Sequence, residues 1–327
     1  LGYNSDITQG NEDYYYDANL NFAGSTALDN GLTAAFTVDA SLSGECDASS
    51  GSYSPLSDGN SHVCWNGYEL SLTSDTAGLY FGDTDTAAEP IWDGISGSEV
   101  GGFDEVGDND EEAILRGELT FGDISAYLSY GVDETSAGRD GDFTGMQFAA
   151  TATLGTVDAI FAYQDADNTA NDGETFGLQV GTTLSGADVK LAYIASDTTS
   201  SVGVEVGYAF DPVNVIVYVN SNSNNDASYG VSASYATGPI SATAFFDNDQ
   251  GTDDWGVEGS YDLGNGLMVM AGVTDSGEDA YLSGTYDLGG GASVLMSFAT
   301  DNDGDAGDEV GDPEYQVGTT VEPTFAF

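Results

Sequence analysis

Residues 16–42 read YDANLNFAGSTALDNGLTAAFTVDASL. Tyr16, Ala18, Leu20 and Phe22 fall at every second position, with Asp17, Asn19, Asn21 and Ala23 between them. A β-strand sends alternate side chains to opposite faces, so this spacing makes one face apolar and the other polar. Asp29-Asn30-Gly31 is a tight hairpin turn. The returning strand carries Leu32, Ala34, Phe36, Val38, Ala40 and Leu42 on one face and Thr33, Thr37, Asp39 and Ser41 on the other. Together they predict a two-sided hairpin.

The same unit recurs along the chain. Short turns fall at Thr76-Ala77, Gly122-Asp123, Gly155-Thr156, Gly186-Ala187, Asp211-Pro212, Gly238-Pro239, Asn265-Gly266 and Gly289-Gly290. Longer polar excursions fall near 45–66, 84–112, 133–142, 165–173, 221–227, 247–254 and 301–313. Tight turns at one end and long acidic loops at the other predict an all-β, antiparallel up-and-down meander. Strands of about ten residues joined in this way are the pattern of a transmembrane β-barrel. The patterned segments number about 20, and merging weak ones near 77–83 leaves 16 or 18. Leu1–Ser5 reads as the end of a strand, and the chain as a mature form. No composition shift marks a linker, so residues 1–327 read as one domain.

Composition narrows the function. The chain has 56 acidic and 3 basic residues, a formal charge of −53. Nucleic acid is excluded, because that binding begins with Lys and Arg on phosphates. Disorder is opposed by 40% hydrophobic and 11% aromatic residues, since disordered chains are poor in aromatics. No apolar run reaches the 18 or more residues that mark a helical span. Cys46 and Cys64 lie in one polar segment, about 45–66, between patterned stretches. A disulfide there implies an oxidising compartment.

Alternation alone does not say which face points outward. Three features favour apolar-outward. The polar face carries Glu69, Glu118, Glu205, Glu258 and Glu322, which suit a water-filled lumen. Aromatics gather near strand ends, at Tyr14 to Tyr16, Tyr68, Phe121, Tyr208, Phe210, Tyr261 and Tyr286, as interfacial girdles do. The apolar face includes small residues such as Ala18, Gly24, Ala34, Gly259 and Gly284. A lipid-facing wall tolerates these, whereas a sealed core would have to fill the space.

The longest stretch without alternation is 83–112, DTDTAAEPIWDGISGSEVGGFDEVGDNDEE. A loop this long in a compact domain is usually functional or disordered. Inside a barrel it becomes a constriction. Asp83, Asp85, Glu89, Asp93, Glu99, Asp104, Glu105, Asp108, Asp110 and Glu111 are its candidate charges, and carboxylate rings in narrow passages select cations. Ile91 and Trp92 would anchor it to the inner wall or to a subunit neighbour. By alternation Arg116 and Lys190 also face the lumen, whereas Arg139 lies in an outer loop. Asp301, Asp303 and Asp305 match the first ligand positions of a calcium loop, with Asp312 closing it. Ala306 stands where an EF-hand has Gly, so the segment fits a loose Ca2+ site and not an EF-hand. His62, the single histidine, has no recognisable nucleophile partner, so no enzyme is expected.

The chain resembles the Gram-negative general porins, most closely the alphaproteobacterial, Rhodobacter-like type. The likeness rests on the terminal Phe325-Ala326-Phe327, on the hairpins SYDLGNGLMVM and TYDLGGGASVL, and on GLYFGDTDTAAEP before the long third loop. The resemblance implies an outer-membrane homotrimer of water-filled barrels, each with its third loop folded inward. It also implies passive diffusion of ions and small hydrophilic solutes, contact with outer-membrane lipid, no required cofactor, and calcium in some relatives. General porins set Arg and Lys opposite the acidic third loop. This chain has too few for that, so a lumen negative almost all round, favouring cations, is expected. A substrate-specific channel and a secreted acidic calcium-binding surface protein are the alternatives.

Overall fold

The computed structural model describes residues 2–5, 12–15, 18–41, 64–103, 113–132, 143–166, 173–274, 279–300, 315 and 317–326. These residues form strands and connections, with no helix among them. In chain order the strands are β1 (Gly2–Ser5), β2 (Glu12–Tyr15), β3 (Asn19–Ala27), β4 (Thr33–Ser41), β5 (Cys64–Thr73), β6 (Ala77–Gly82) and β7 (Ala113–Phe121). There follow β8 (Ile124–Val132), β9 (Phe143–Leu154), β10 (Val157–Ala166), β11 (Gly173–Leu184), β12 (Ala187–Ala195), β13 (Ser200–Phe210) and β14 (Val213–Asn222). The last are β15 (Ser228–Thr237), β16 (Ile240–Asp249), β17 (Thr252–Gly264), β18 (Leu267–Thr274), β19 (Asp279–Gly289), β20 (Ala292–Ala299) and β21 (Gly318–Phe325). Only positions 16–18 separate β2 from β3; counted as one pass, they bring the 21 segments to 20.

The chain forms two compact units. One comprises Ala18–Val204 with Asn220–Asn225. In it, consecutive strands from β3 to β12 pair antiparallel without interruption. The other comprises Leu1–Asp17, Glu205–Val219 and Asp226–Phe327. Here β15 to β21 pair in order, β21 then pairs with β1, and β1 with β2. The β21–β1 ladder sets Val321 opposite Tyr3, so the first and last strands are neighbours.

The tight turns follow from local chemistry. Ser185-Gly186, Gln250-Gly251 and Asn265-Gly266 are two-residue connections with positive φ at both positions. That is the type I′ geometry whose twist matches paired strands. Gln250-Gly251 corrects one expectation. The polar stretch 247–254 is not an excursion, because Asp247 pairs with Asp254, Asn248 with Asp253 and Asp249 with Thr252. The weak segment near 77–83 is retained as β6.

The faces are sorted as apolar-outward. In the first unit Leu20 lies opposite Ala40, Phe22 opposite Val38, and Phe36 opposite Leu70. Leu20, Phe22, Phe36 and Leu70 are all exposed. In the second unit Val257, Leu282 and Met296 are exposed in the same way. Phe121, 88% exposed, sits at a strand end beside the Gly122 turn. Meanwhile the largest fully buried side chains are polar: Gln147, Asn220, Thr86, Thr274, Ser129 and Ser228. An apolar exposed surface of this extent suits lipid and not water.

Candidate pore constriction

The segment after β6 leaves the sheet because of Gly82. Its φ is +119°, and a Cβ there would lie 2.0 Å from the Tyr68 carbonyl oxygen, so only glycine fits. The Asp83 N–H then donates to that carbonyl at 2.7 Å. The chain turns onto the polar face of its own unit, the face opposite Leu20, Phe22 and Leu70.

Neutral side chains on that face hold the segment's backbone. The Ala87 N–H donates to Ser129 Oγ on β8 (2.9 Å) and the Ala88 N–H to Gln147 Oε1 on β9 (3.0 Å). Gln147 in turn donates to Gln164 on β10. The Gly94 N–H donates to Gln179 Oε1 on β11 (3.0 Å), and Gln179 Nε2 donates to the Asp93 carboxylate. Further on, Asn220 Nδ2 donates to the carbonyls of Ile95 and Ser96, and Asn222 Nδ2 to that of Gly97. The Glu99 N–H reaches both Ser201 Oγ and Asn222 Oδ1. Each neutral bond contributes about 1 kcal/mol net, but breaking one strands a buried partner and costs more. The Glu99 carboxylate accepts from the Ser223 hydroxyl and from the N–H groups of Ser223 and Asn224. Desolvation alone would raise the pKa of this carboxyl. The Ser223, Asn224 and Ser200 hydrogen bonds outweigh it, so the pKa lies below the ordinary glutamate value.

An apolar seam lies along the same contact. Ala87, Ala88, Val100 and Phe103 of the segment bury against Ala149, Ala162 and Ile194 of the wall, with Ile91, Trp92 and Tyr127 packed on them. The wall is flat because Ala149, Ala162 and Gly177 are successive cross-strand neighbours. Trp92 lies over Gly177, where a Cβ would come within 2.5 Å of the indole, and meets Phe103 edge-on at 5.2 Å. The expected anchoring by Ile91 and Trp92 is therefore against the wall of their own unit.

The charges are arranged unequally. Asp83, Asp85, Glu89 and Asp93 are exposed on the segment. Arg116 of β7 is only 11% exposed. Its Nη1 lies 3.7 Å from the Asp85 carboxylate and donates to the Asp85 carbonyl at 3.1 Å. The guanidinium also stacks on the Tyr80 ring at 4.7 Å, and Tyr80 donates to Glu118 at 2.8 Å. Glu69 on β5 and Lys190 on β12 also lie on the polar face, Lys190 opposite Gly181. In the other unit Glu205 belongs to β13, and Glu258 on β17 accepts from Tyr281.

Several expected residues lie outside the described ones: Asp104, Glu105, Asp108, Asp110, Glu111, Arg139, Cys46, Asp301, Asp303, Asp305 and Asp312. Cys64 opens β5. Among the described residues no three His, Cys, Asp or Glu side chains are placed to share a metal ion. The pins Ser129, Gln147, Gln179, Ser201, Asn220 and Asn222 were not singled out by the sequence reading. One usable signal was present, namely Gln147, Gln164 and Gln179 at polar-face positions of three adjacent strands.

Strands with an exposed apolar face and a buried polar face, the latter covered by a long connection, define the membrane-spanning antiparallel β-barrels. The chain belongs to the Gram-negative porin family, whose model matches residues 1–320. A comparison with curated protein sequences found no match. Solved structures share the fold. A mutant porin of Rhodopseudomonas blastica aligns at 17% identity over 79% of this chain and 95% of its own, with a TM-score of 0.53. A second mutant of that porin aligns at 16% identity over the same shares, also with a TM-score of 0.53. The protein is thus an up-and-down β-barrel of the Gram-negative outer membrane and a pore for passive diffusion. It is a channel, not an enzyme or a secreted surface protein.

Proposed function

We propose that this porin favours cations, that segment 83–112 is its constriction, and that residues 1–327 form a single barrel. The supporting observation is the asymmetry on the inserted segment. Asp83, Asp85, Glu89 and Asp93 are exposed, while Arg116 is nearly buried and held by Asp85 and Tyr80. Fixed negative charge beside an aqueous path raises the local cation concentration. Asp104, Glu105, Asp108, Asp110 and Glu111 extend that charge along the same loop, Glu99 fastens it, and Glu69, Glu118, Glu205 and Glu258 line the wall. Potassium conductance should fall less than proportionally as KCl is lowered from 1 M to 10 mM. Over that range the Debye length grows from about 3 Å to about 30 Å, so fixed charges come to control the ion supply. Strict proportionality across the range would contradict the reading.

We also propose a homotrimer, a Cys46–Cys64 disulfide, and calcium held at Asp301, Asp303, Asp305 and Asp312. These rest on the family resemblance, the cysteine placement and the alternating acidic pattern. Detergent-extracted protein should migrate unheated as an oligomer of three chains. Reductant should slow the heated monomer by opening the loop, and chelation at low salt should lower the temperature at which the oligomer dissociates. Migration or melting unchanged by one of these treatments removes the corresponding assignment.

A further inference from the structure

Glu99 lies near the far end of the described part of the inserted segment and is held differently from the rest. Most of the segment hangs on neutral groups, with Ser129, Gln147, Gln179, Ser201, Asn220 and Asn222 bonded to its backbone. Neutral amides and hydroxyls do not titrate in the carboxylate range, so this hold does not change with moderate acid. At Glu99 the bonds go to an ionised side chain. Its carboxylate accepts from the Ser223 hydroxyl at 2.6 Å, from the Asn224 N–H at 3.1 Å to each oxygen, and from the Ser223 N–H. Hydrogen bonds to an ionised acceptor are roughly twice as strong as neutral ones.

Ser223 and Asn224 belong to the β14–β15 connection, which is tied in turn to the connection between β12 and β13. The Ser200 N–H donates to Ser223 Oγ at 3.0 Å, and Asn224 Nδ2 donates to the Thr198 carbonyl at 3.1 Å. β12 starts at the tight turn Ser185-Gly186 and ends at this connection, so Glu99 meets the rim opposite the tight turns. In barrels of this kind that rim is extracellular. The titratable side chains on the two connections are Asp197 and Asp226, both exposed carboxylates, and neither connection carries a basic residue. On the segment itself the other ionised holds are Asp93, which accepts from Gln179 Nε2 at 3.3 Å, and Asp85 beside Arg116.

We propose that Glu99 is a positioning residue: its charge latches the distal part of the inserted segment to the outer rim, and external acid releases that part. Desolvation raises the Glu99 carboxyl, but the bonds from Ser223, Asn224 and Ser200 outweigh it, so its pKa in the docked segment lies below the ordinary glutamate value. Once undocked, the carboxyl returns to the ordinary value. The latch is therefore complete above that ordinary pKa and is lost as pH falls through the docked one. Ser129, Gln147 and the Trp92 seam take up no proton, so the segment loosens at one end and stays fixed at the other. The proposal rests on the constriction reading and adds to it a control by external pH.

The test uses the full-length protein in a planar bilayer, with the pH of each side lowered in turn from about 7 to about 3, across the carboxylate range. Acid on the outer side should bring transitions between two conductance levels. Time in the second level should rise about threefold, a modest change because the site is exposed. Glu99→Gln keeps the shape of the side chain and removes its charge. It should show the second level at neutral pH as often as the wild type does in acid, with no further rise in acid, while the cation-to-anion ratio still falls as other carboxylates are neutralised. If Glu99→Gln fails to insert, Ser223→Ala removes one donor to the carboxylate and should move the midpoint of the transition to higher pH. Acid-induced transitions of wild-type size in Glu99→Gln overturn the proposal, as does a midpoint unmoved by Ser223→Ala or a wild-type channel that keeps one level in acid. Trp92→Ala separates the two readings. A conductance that responds to Trp92→Ala, with acid acting alike in wild type and Glu99→Gln, defeats the latch alone. A conductance indifferent to both Trp92→Ala and acid defeats the constriction reading as well.

Discussion

Trp92→Ala should loosen the hold of the inserted segment on the barrel wall. The indole fills the space above Gly177 and meets Phe103 edge-on, and it packs on the buried seam of Ala87, Ala88, Ala149 and Ala162. Truncating a large aromatic in such a site costs about 3–5 kcal/mol. Trp92 is half-buried, so the lower end applies. At about 1.4 kcal/mol per tenfold change, the ratio of docked to undocked segment should fall roughly a hundredfold. Single-channel conductance should rise and become noisier, and larger neutral solutes should begin to permeate. The strand ladders do not pass through Trp92, so the far-ultraviolet spectrum should not change. A variant with wild-type conductance and size cut-off would show that the segment is held without the Trp92 ring, by its hydrogen bonds and the rest of the seam.

Neutralising the exposed acids of the segment should weaken ion selection without opening the pore. In the triple variant Asp85→Asn, Glu89→Gln, Asp93→Asn, the amides keep the shape of each side chain and remove its charge. A single charge 4 Å from a passing ion is worth about 1 kcal/mol even in bulk water, which corresponds to about a fivefold bias. The cation-to-anion permeability ratio should therefore drop fivefold or more in 0.1 M KCl. In 1 M KCl, where the Debye length is about 3 Å, the difference should shrink. Arg116, relieved of the Asp85 carboxylate that now sits 3.7 Å away, would add to the change. An unaltered ratio at low salt would move the selecting charges elsewhere in the lumen.

Much of the fold was legible in the sequence because strand alternation has a strict period. Alternation alone places Leu20, Phe22 and Phe36 on the apolar face, and all three are exposed on it. The misread stretch 247–254 has a physical cause. Asp247, Asn248, Asp249, Asp253 and Asp254 are polar at consecutive positions, so alternation vanishes although the residues pair as strands. The inserted segment was legible as a long connection but not as a docked object. Alternation assigns Gln147 and Gln179 to the polar face, yet their contacts reach 59 and 85 residues away, and no local pattern encodes such a partner. Gly177 likewise looks like any small residue of a strand until Trp92 is seen lying on it.

Reversal potential across a planar bilayer under a tenfold KCl gradient tests the central claim most directly. With acids exposed on the inserted segment and Arg116 held by Asp85 and Tyr80, the account predicts a potential of the sign set by potassium, growing as both salt concentrations are lowered. A potential of the opposite sign, set by chloride, would contradict it.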